Sequence, residues 1–92
     1  MIKTFKCRET EKLFNDQMVK GFRAFERQAR RKLLLLHAAK GLEDLKSPPG
    51  NHLESLKGDR QSQYSIRINN QWRLCFEWTD NNAYEVEIVD YH

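Results

Sequence analysis

Cysteine is scarce in this chain of 92 residues. Cys7 and Cys75 stand far apart in no CxxC or Cys/His spacing, which excludes a disulfide framework and a zinc site of recognisable pattern. Both read as small packing residues. Long apolar runs are absent too: Leu33-Leu34-Leu35-Leu36 is far too short to cross a bilayer. The opening Met1-Ile2-Lys3-Thr4-Phe5-Lys6 lacks the apolar stretch of a secretion signal, so a soluble cytoplasmic protein is expected. There is no internal repeat or low-complexity tract, and the two prolines are adjacent, at Pro48-Pro49.

The composition suits one modest core. Hydrophobic residues make up 39% and charged residues 32%, with two Trp, three Tyr and five Phe, which argues against intrinsic disorder and for a single domain over residues 1–92. The net charge of +3 hides an asymmetry. Residues 1–46 hold twelve Lys or Arg against six Asp or Glu, whereas residues 47–92 hold four against seven. A basic first half favours a polyanionic partner such as RNA through a field that salt weakens. The same charges also serve simply to solvate helix faces, so charge alone does not choose.

Hydrophobic spacing predicts the order of elements. Ile2 to Cys7 reads as a short strand and Arg8 to Met18 as a helix with Leu13 and Phe14 inward, before Gly21. From about Arg23, the spacing of Phe25, Ala29, Leu33 and Leu36 predicts a longer helix ending at Gly41. Within it, His37 reads as a structural imidazole. Leu42 and Leu45 are expected to dock a connector, and Ser47-Pro48-Pro49-Gly50-Asn51 to forbid helix. Strands follow at His52–Leu56, Gln63–Ile68, Trp72–Trp78 and Tyr84–Tyr91, joined by short polar turns that imply an antiparallel meander. The expected fold class is α+β, with two N-terminal helices packed on one face of a small, mainly antiparallel twisted sheet.

Strand alternation sorts the side chains. Trp72, Leu74, Phe76 and Trp78 share an apolar face that Tyr64, Ile66 and Ile68 join. The other face, expected to be exposed, carries Ser65, Arg67, Asn69, Arg73, Cys75, Glu77, Glu85, Glu87, Val89 and Tyr91. Arg73 stands out as a cation in the most hydrophobic strand. Pairing with Glu77, Glu85 or Glu87 would explain it structurally; phosphate recognition by the planar guanidinium would explain it functionally. Asp90 and His92 leave on the side of Val86 and Ile88. His52 and Glu54 share one face of the first strand of the meander, where they either flank a groove with Lys57 and Arg60 or solvate an edge.

The segments Leu56-Lys57-Gly58-Asp59-Arg60, Tyr64-Ser65-Ile66, Gln71-Trp72-Arg73-Leu74 and Asp90-Tyr91-His92 together resemble the HigB group of RelE-superfamily toxins, over nearly the whole chain. The resemblance implies a toxin that enters the ribosomal A site, cuts mRNA during translation and is neutralised by a helix-turn-helix, HigA-like antitoxin. It carries Lys57 and Arg73 onto the family's RNA-facing groove, Arg60 onto the same loop, and Asp90, Tyr91 and His92 onto its catalytic end. Some relatives have histidine where this chain has Glu54; His52 lies two positions earlier.

The chemistry implied is metal-independent and needs no cofactor. The ribose 2′-OH loses a proton, attacks phosphorus in line, and the departing 5′-oxygen gains a proton. Arg73 would stabilise phosphoryl charge with Lys57 and Arg60 assisting; His92 would carry the proton, Asp90 tune it or act as base, and Tyr91 donate or stack. Arg60, Arg67, His52, Glu54 and Lys20 are the expected RNA-binding set. The rival is a noncatalytic RNA- or protein-binding module. A regulator that binds DNA by itself is disfavoured because the chain shows no helix-turn-helix spacing, so DNA contact would come only through the antitoxin.

Overall fold

The computed structural model describes residues 1–56 and 62–90. Helix α1 (Arg8–Phe14) is followed by a 3-10 segment (Lys20–Phe25) and helix α2 (Glu26–Ala38). Two short 3-10 segments (Leu42–Lys46 and Pro49–Asn51) then lead to β1 (Glu54–Ser55), β2 (Gln63–Arg67), β3 (Trp72–Thr79) and β4 (Asn82–Asp90). The strands lie side by side in chain order, each antiparallel to its neighbour. This is the α+β meander that the turn spacing predicts. In the β3–β4 hairpin the two loop residues, Asp80 and Asn81, have φ of 52° and 62°, the left-handed pair that matches the twist of the flanking strands.

Both helices cover one face. Leu13 of α1, Ala29, Leu33 and Leu36 of α2, and Leu45 of the crossover are fully buried with Ile66, Leu74, Ala83 and Val86 of the sheet. Trp72 stacks on Phe25 with ring centroids 4.8 Å apart and meets Phe22 edge-on at 5.9 Å. Thr10 of α1 accepts the Ile88 amide through Oγ1 at 3.0 Å, tying the helix to β4. His37 is structural, as its spacing predicts: its Nδ1 accepts the Ile2 amide at 3.1 Å.

Several boundaries differ from expectation, each for a local reason. Helix α1 stops at Phe14 rather than Met18 because Asp16 turns left-handed, with φ 66°, leaving Met18 exposed. The stretch before α2 winds as a 3-10 helix, whose three-residue repeat aligns Phe22 and Phe25 on Trp72. Helix α2 ends at Ala38, since Ala39 is already extended. Pro49 begins a single 3-10 turn, tolerated because a helix's first residue needs no amide donor. The predicted strand His52–Leu56 shrinks to Glu54–Ser55, as His52 caps that turn at φ 45°. Ile2–Cys7 makes only two parallel bridges to β4, Ile2 to Ala83 and Phe5 to Val86. Between them Glu85 bulges at φ 52°, and its amide donates to Thr4 Oγ1 at 2.8 Å. The bulge shifts alternation, so Tyr84 pairs with Glu77 while Glu87 pairs with Cys75.

Candidate active-site groove

The sheet face away from the helices is not the open surface that alternation alone predicts. Ser65 is fully buried, and Cys75 and Arg73 are 6% and 9% exposed. Part of the cause lies in the crossover from α2. Asn51, fully buried, donates from Nδ2 to the carbonyls of Leu45 and Ser47 at 3.1 and 3.2 Å and accepts from Lys32 Nζ of α2. Burial holds the Lys32 ammonium below its ordinary pKa, and Arg31 acts in the same direction. This clamp delivers His52 and Glu54 against Arg73.

Arg73 is the centre of the site. Its Nε donates to Ser65 Oγ at 2.9 Å. Its Nη2 donates to the carbonyls of His52 (2.5 Å) and Ser65 (3.3 Å) and lies 3.3 Å from Glu54 Oε1. A cation this deeply placed needs such partners, because desolvating it alone would be costly. The carboxylate is Glu54 of β1 rather than any of the glutamates suggested by strand alternation. Arg67 stands directly across from Arg73 in the β2–β3 register. Like charges facing one another across strands oppose folding. The arrangement persists because Arg67 turns aside: Nε donates to the Asn69 carbonyl at 3.2 Å and Nη2 to Asn70 Oδ1.

His52, Glu54, Arg67, Asn69, Asn70 and Arg73 line a cavity of about 320 Å³. Among the described residues, two guanidinium groups, an imidazole and two amides around a carboxylate suit a phosphodiester with a base edge beside it. Asn69 is itself fixed, its Oδ1 accepting the amides of Gln71 and Trp72 at 2.8 Å each. Among the described residues, no group of three or more His, Cys, Asp and Glu is gathered to hold a metal, and no helix is long and apolar enough to cross a membrane.

Four expected site residues thus converge: Arg73, Arg67, His52 and Glu54. Asp90 does not line this cavity. It pairs with Trp72, on the core side of the alternation, and its Oδ2 accepts Gln71 Nε2 at 3.0 Å. Lys20 is also elsewhere, opening the exposed start of the 3-10 segment whose Phe22 packs on Trp72, in the helical layer across the sheet. Lys57, Arg60, Tyr91 and His92 lie outside the described residues. Sequence reasoning does not single out Ser65, Asn69 and Asn70. Ser65 and Asn69 share the parity of Arg67, the signal that could have found them; their roles depend on the turn and the burial.

The comparisons with known proteins agree with this architecture. The HigB-like toxin family, described as RelE-like toxins of the type II toxin-antitoxin system HigB, matches residues 3–92. Toxin HigB-1 of Vibrio cholerae serotype O1 is 49% identical over 53 residues, 58% of this chain and 56% of its own length. Endoribonuclease HigB of Proteus vulgaris is 40% identical over 40 residues, 44% of each chain. These matches span about half the length of the curated relatives. In fold, the chain is similar to YafQ from E. coli (TM-score 0.63, 13% identity, covering 98% of this chain and 91% of that one). It is also similar to a chain of the YoeB-YefM complex from Staphylococcus aureus (TM-score 0.53, 23% identity, covering 100% and 95%). With a groove of arginines on an antiparallel meander and a family match over all but its first two residues, the chain belongs to the HigB-like family of RelE-like toxins.

Proposed function

We propose that this protein is a metal-independent endoribonuclease that cuts mRNA in the ribosomal A site and so halts translation, acting in the cytoplasm and silenced by a helix-turn-helix antitoxin of the HigA type. The single observation that carries the reading is the Arg67–Arg73 pair, two guanidinium groups opposite one another in the β2–β3 register that line one cavity and suit a phosphate there. The family's membership in toxin-antitoxin systems supports the partner class.

In this reading Arg73 contacts the phosphoryl oxygens where negative charge develops, preoriented by Ser65 and His52. Arg67 orients the strand, with Lys57 and Arg60 assisting. His92 carries the protons of the 2′-OH and the leaving 5′-oxygen, Asp90, outside the cavity, tunes that imidazole, and Tyr91 donates a proton or stacks on a splayed base. The ribosome is needed because a shallow groove with weak acid-base groups relies on a codon already held in an attack-ready shape.

The ion pair between Glu54 and Arg73 favours a second reading, a noncatalytic RNA-binding module, since it leaves the cation partly neutralised. Mapping transcript ends after induction separates the two. The nuclease yields new RNA ends within translated codons, and Arg73→Ala abolishes both those ends and growth arrest in a protein that remains folded. Growth arrest without new ends supports the module; undiminished cutting by Arg73→Ala refutes the assigned role.

A further inference from the structure

The surface continues past Arg67 into a second depression. Gln28, Lys32 and Gly50 line it together with Arg67, Asn69 and Asn70, in a volume of about 390 Å³. Arg67, Asn69 and Asn70 also line the Arg73 cavity, so the two form one track folded around the β2–β3 turn. We propose that the second depression is a subsite for the nucleotide flanking the scissile linkage, with the Lys32 ammonium on its phosphate and the amides of Gln28 and Asn70 on its base edge. This rests on the RNA-cutting reading and adds to it a second point of substrate contact.

Four features support the assignment. Lys32 is anchored rather than free, since Nζ donates to the buried Asn51. An ammonium has two further donors, and one whose position is already fixed loses less freedom on gripping a phosphate. Gln28 precedes Lys32 by four residues on α2, so both project from one helical face. The floor is open: a Cβ on Gly50 would meet nothing within 4 Å, and its backbone is not left-handed. Unlike the Arg73 cavity, where Glu54 competes for the cation, the second depression has no acidic residue among its described lining. Its charged and polar side chains among the described residues are cations and amides, beside the apolar Ile68.

Gly50→Glu introduces a carboxylate into this space from the crossover, and Gln28→Glu introduces one from the helix. Both leave Arg73 untouched. Binding is read by fluorescence anisotropy across a salt series, using an RNA trinucleotide and pentanucleotide with a 2′-O-methyl group at each position to prevent cleavage. The wild-type protein should bind the longer RNA about tenfold more tightly, the scale of one charge-assisted hydrogen bond. Each variant should abolish that advantage, with a salt slope shallower by about 0.7 because one phosphate is no longer neutralised, while trinucleotide binding and thermal melting stay unchanged. Absence of the advantage in the wild type, or its survival in both folded variants, overturns the subsite. Arg73→Ala separates this from the underlying reading. It should weaken both lengths alike, and unaltered binding of both would refute RNA recognition by the groove itself, whatever Gly50→Glu does.

Discussion

The two ends of the outer sheet face are built on the same strands and carry opposite charge. Along the β2–β3 register Arg67 faces Arg73 at one end, Ser65 faces Cys75 in the middle, and Gln63 faces Glu77 at the other. Among the described residues, the far end has a cavity of about 350 Å³ lined by Gln63, Cys75 and Phe76 with Glu77, Glu85, Glu87 and the cation Lys6, against about 320 Å³ at the arginine end. Room does not distinguish them; charge and burial do. Lys6 Nζ lies 3.5 Å from Glu87 with its side chain 62% exposed, whereas that of Arg73 is 10% exposed. A polyanion is drawn to one end and repelled from the other, so the face has a built-in direction for a polyanionic strand.

The strongest way to break this contrast is at Arg73. Arg73→Lys keeps the charge but not the planar fork that reaches Ser65 and His52 together. Cleavage on programmed ribosomes should fall by about a hundredfold or more, the scale of losing one preorganised donor. Near-normal cleavage would mean that charge alone suffices. Next in size, reversing the acidic end with Glu77→Lys and Glu85→Lys together should tighten RNA binding at low salt by about tenfold. The salt slope should steepen by about 0.7 for each additional phosphate neutralised; an unchanged slope would show that the acidic end plays no part in steering. Glu54→Gln removes the carboxylate competing for Arg73 and should tighten RNA binding by about threefold, as expected when a like charge facing the ligand is removed. If cleavage falls while binding tightens, Glu54 serves the proton transfers rather than the grip. The smallest effect belongs to Lys6→Met: an exposed ion pair contributes less than about 1 kcal/mol, so the melting temperature should barely move.

How far the site is legible in the sequence depends on the distance over which each residue acts. Period-two counting finds Arg73 and Arg67 because β2 and β3 are regular, and the core set of Ile66, Leu74 and Phe76 follows from the same rule. The rule holds on β4 from Val86 onward, with Glu87 opposite Cys75 and Val89 opposite Arg73, and breaks at the Glu85 bulge, which moves Tyr84 beside Glu77. It also misjudges the solvation of the outer face, since parity gives direction and says nothing of what lies above. Charge alone groups Lys20 with the groove, yet it sits in the helical layer.

The chain by itself determined the order of elements, the antiparallel meander and the pairing of an apolar face with a polar one, because periodicity, turn chemistry and the bilayer limit act between near neighbours. Only the tertiary structure decided that Asn51 would clamp the crossover to Lys32, that Glu54 would be the carboxylate beside Arg73, and that the groove would continue onto α2. Lys32 and Asn51 are 19 positions apart in the chain, as are Glu54 and Arg73, and no local pattern links either pair. Such pairings form when burial makes an unpaired cation or amide too costly, and the partner chosen is the one that packing brings within reach.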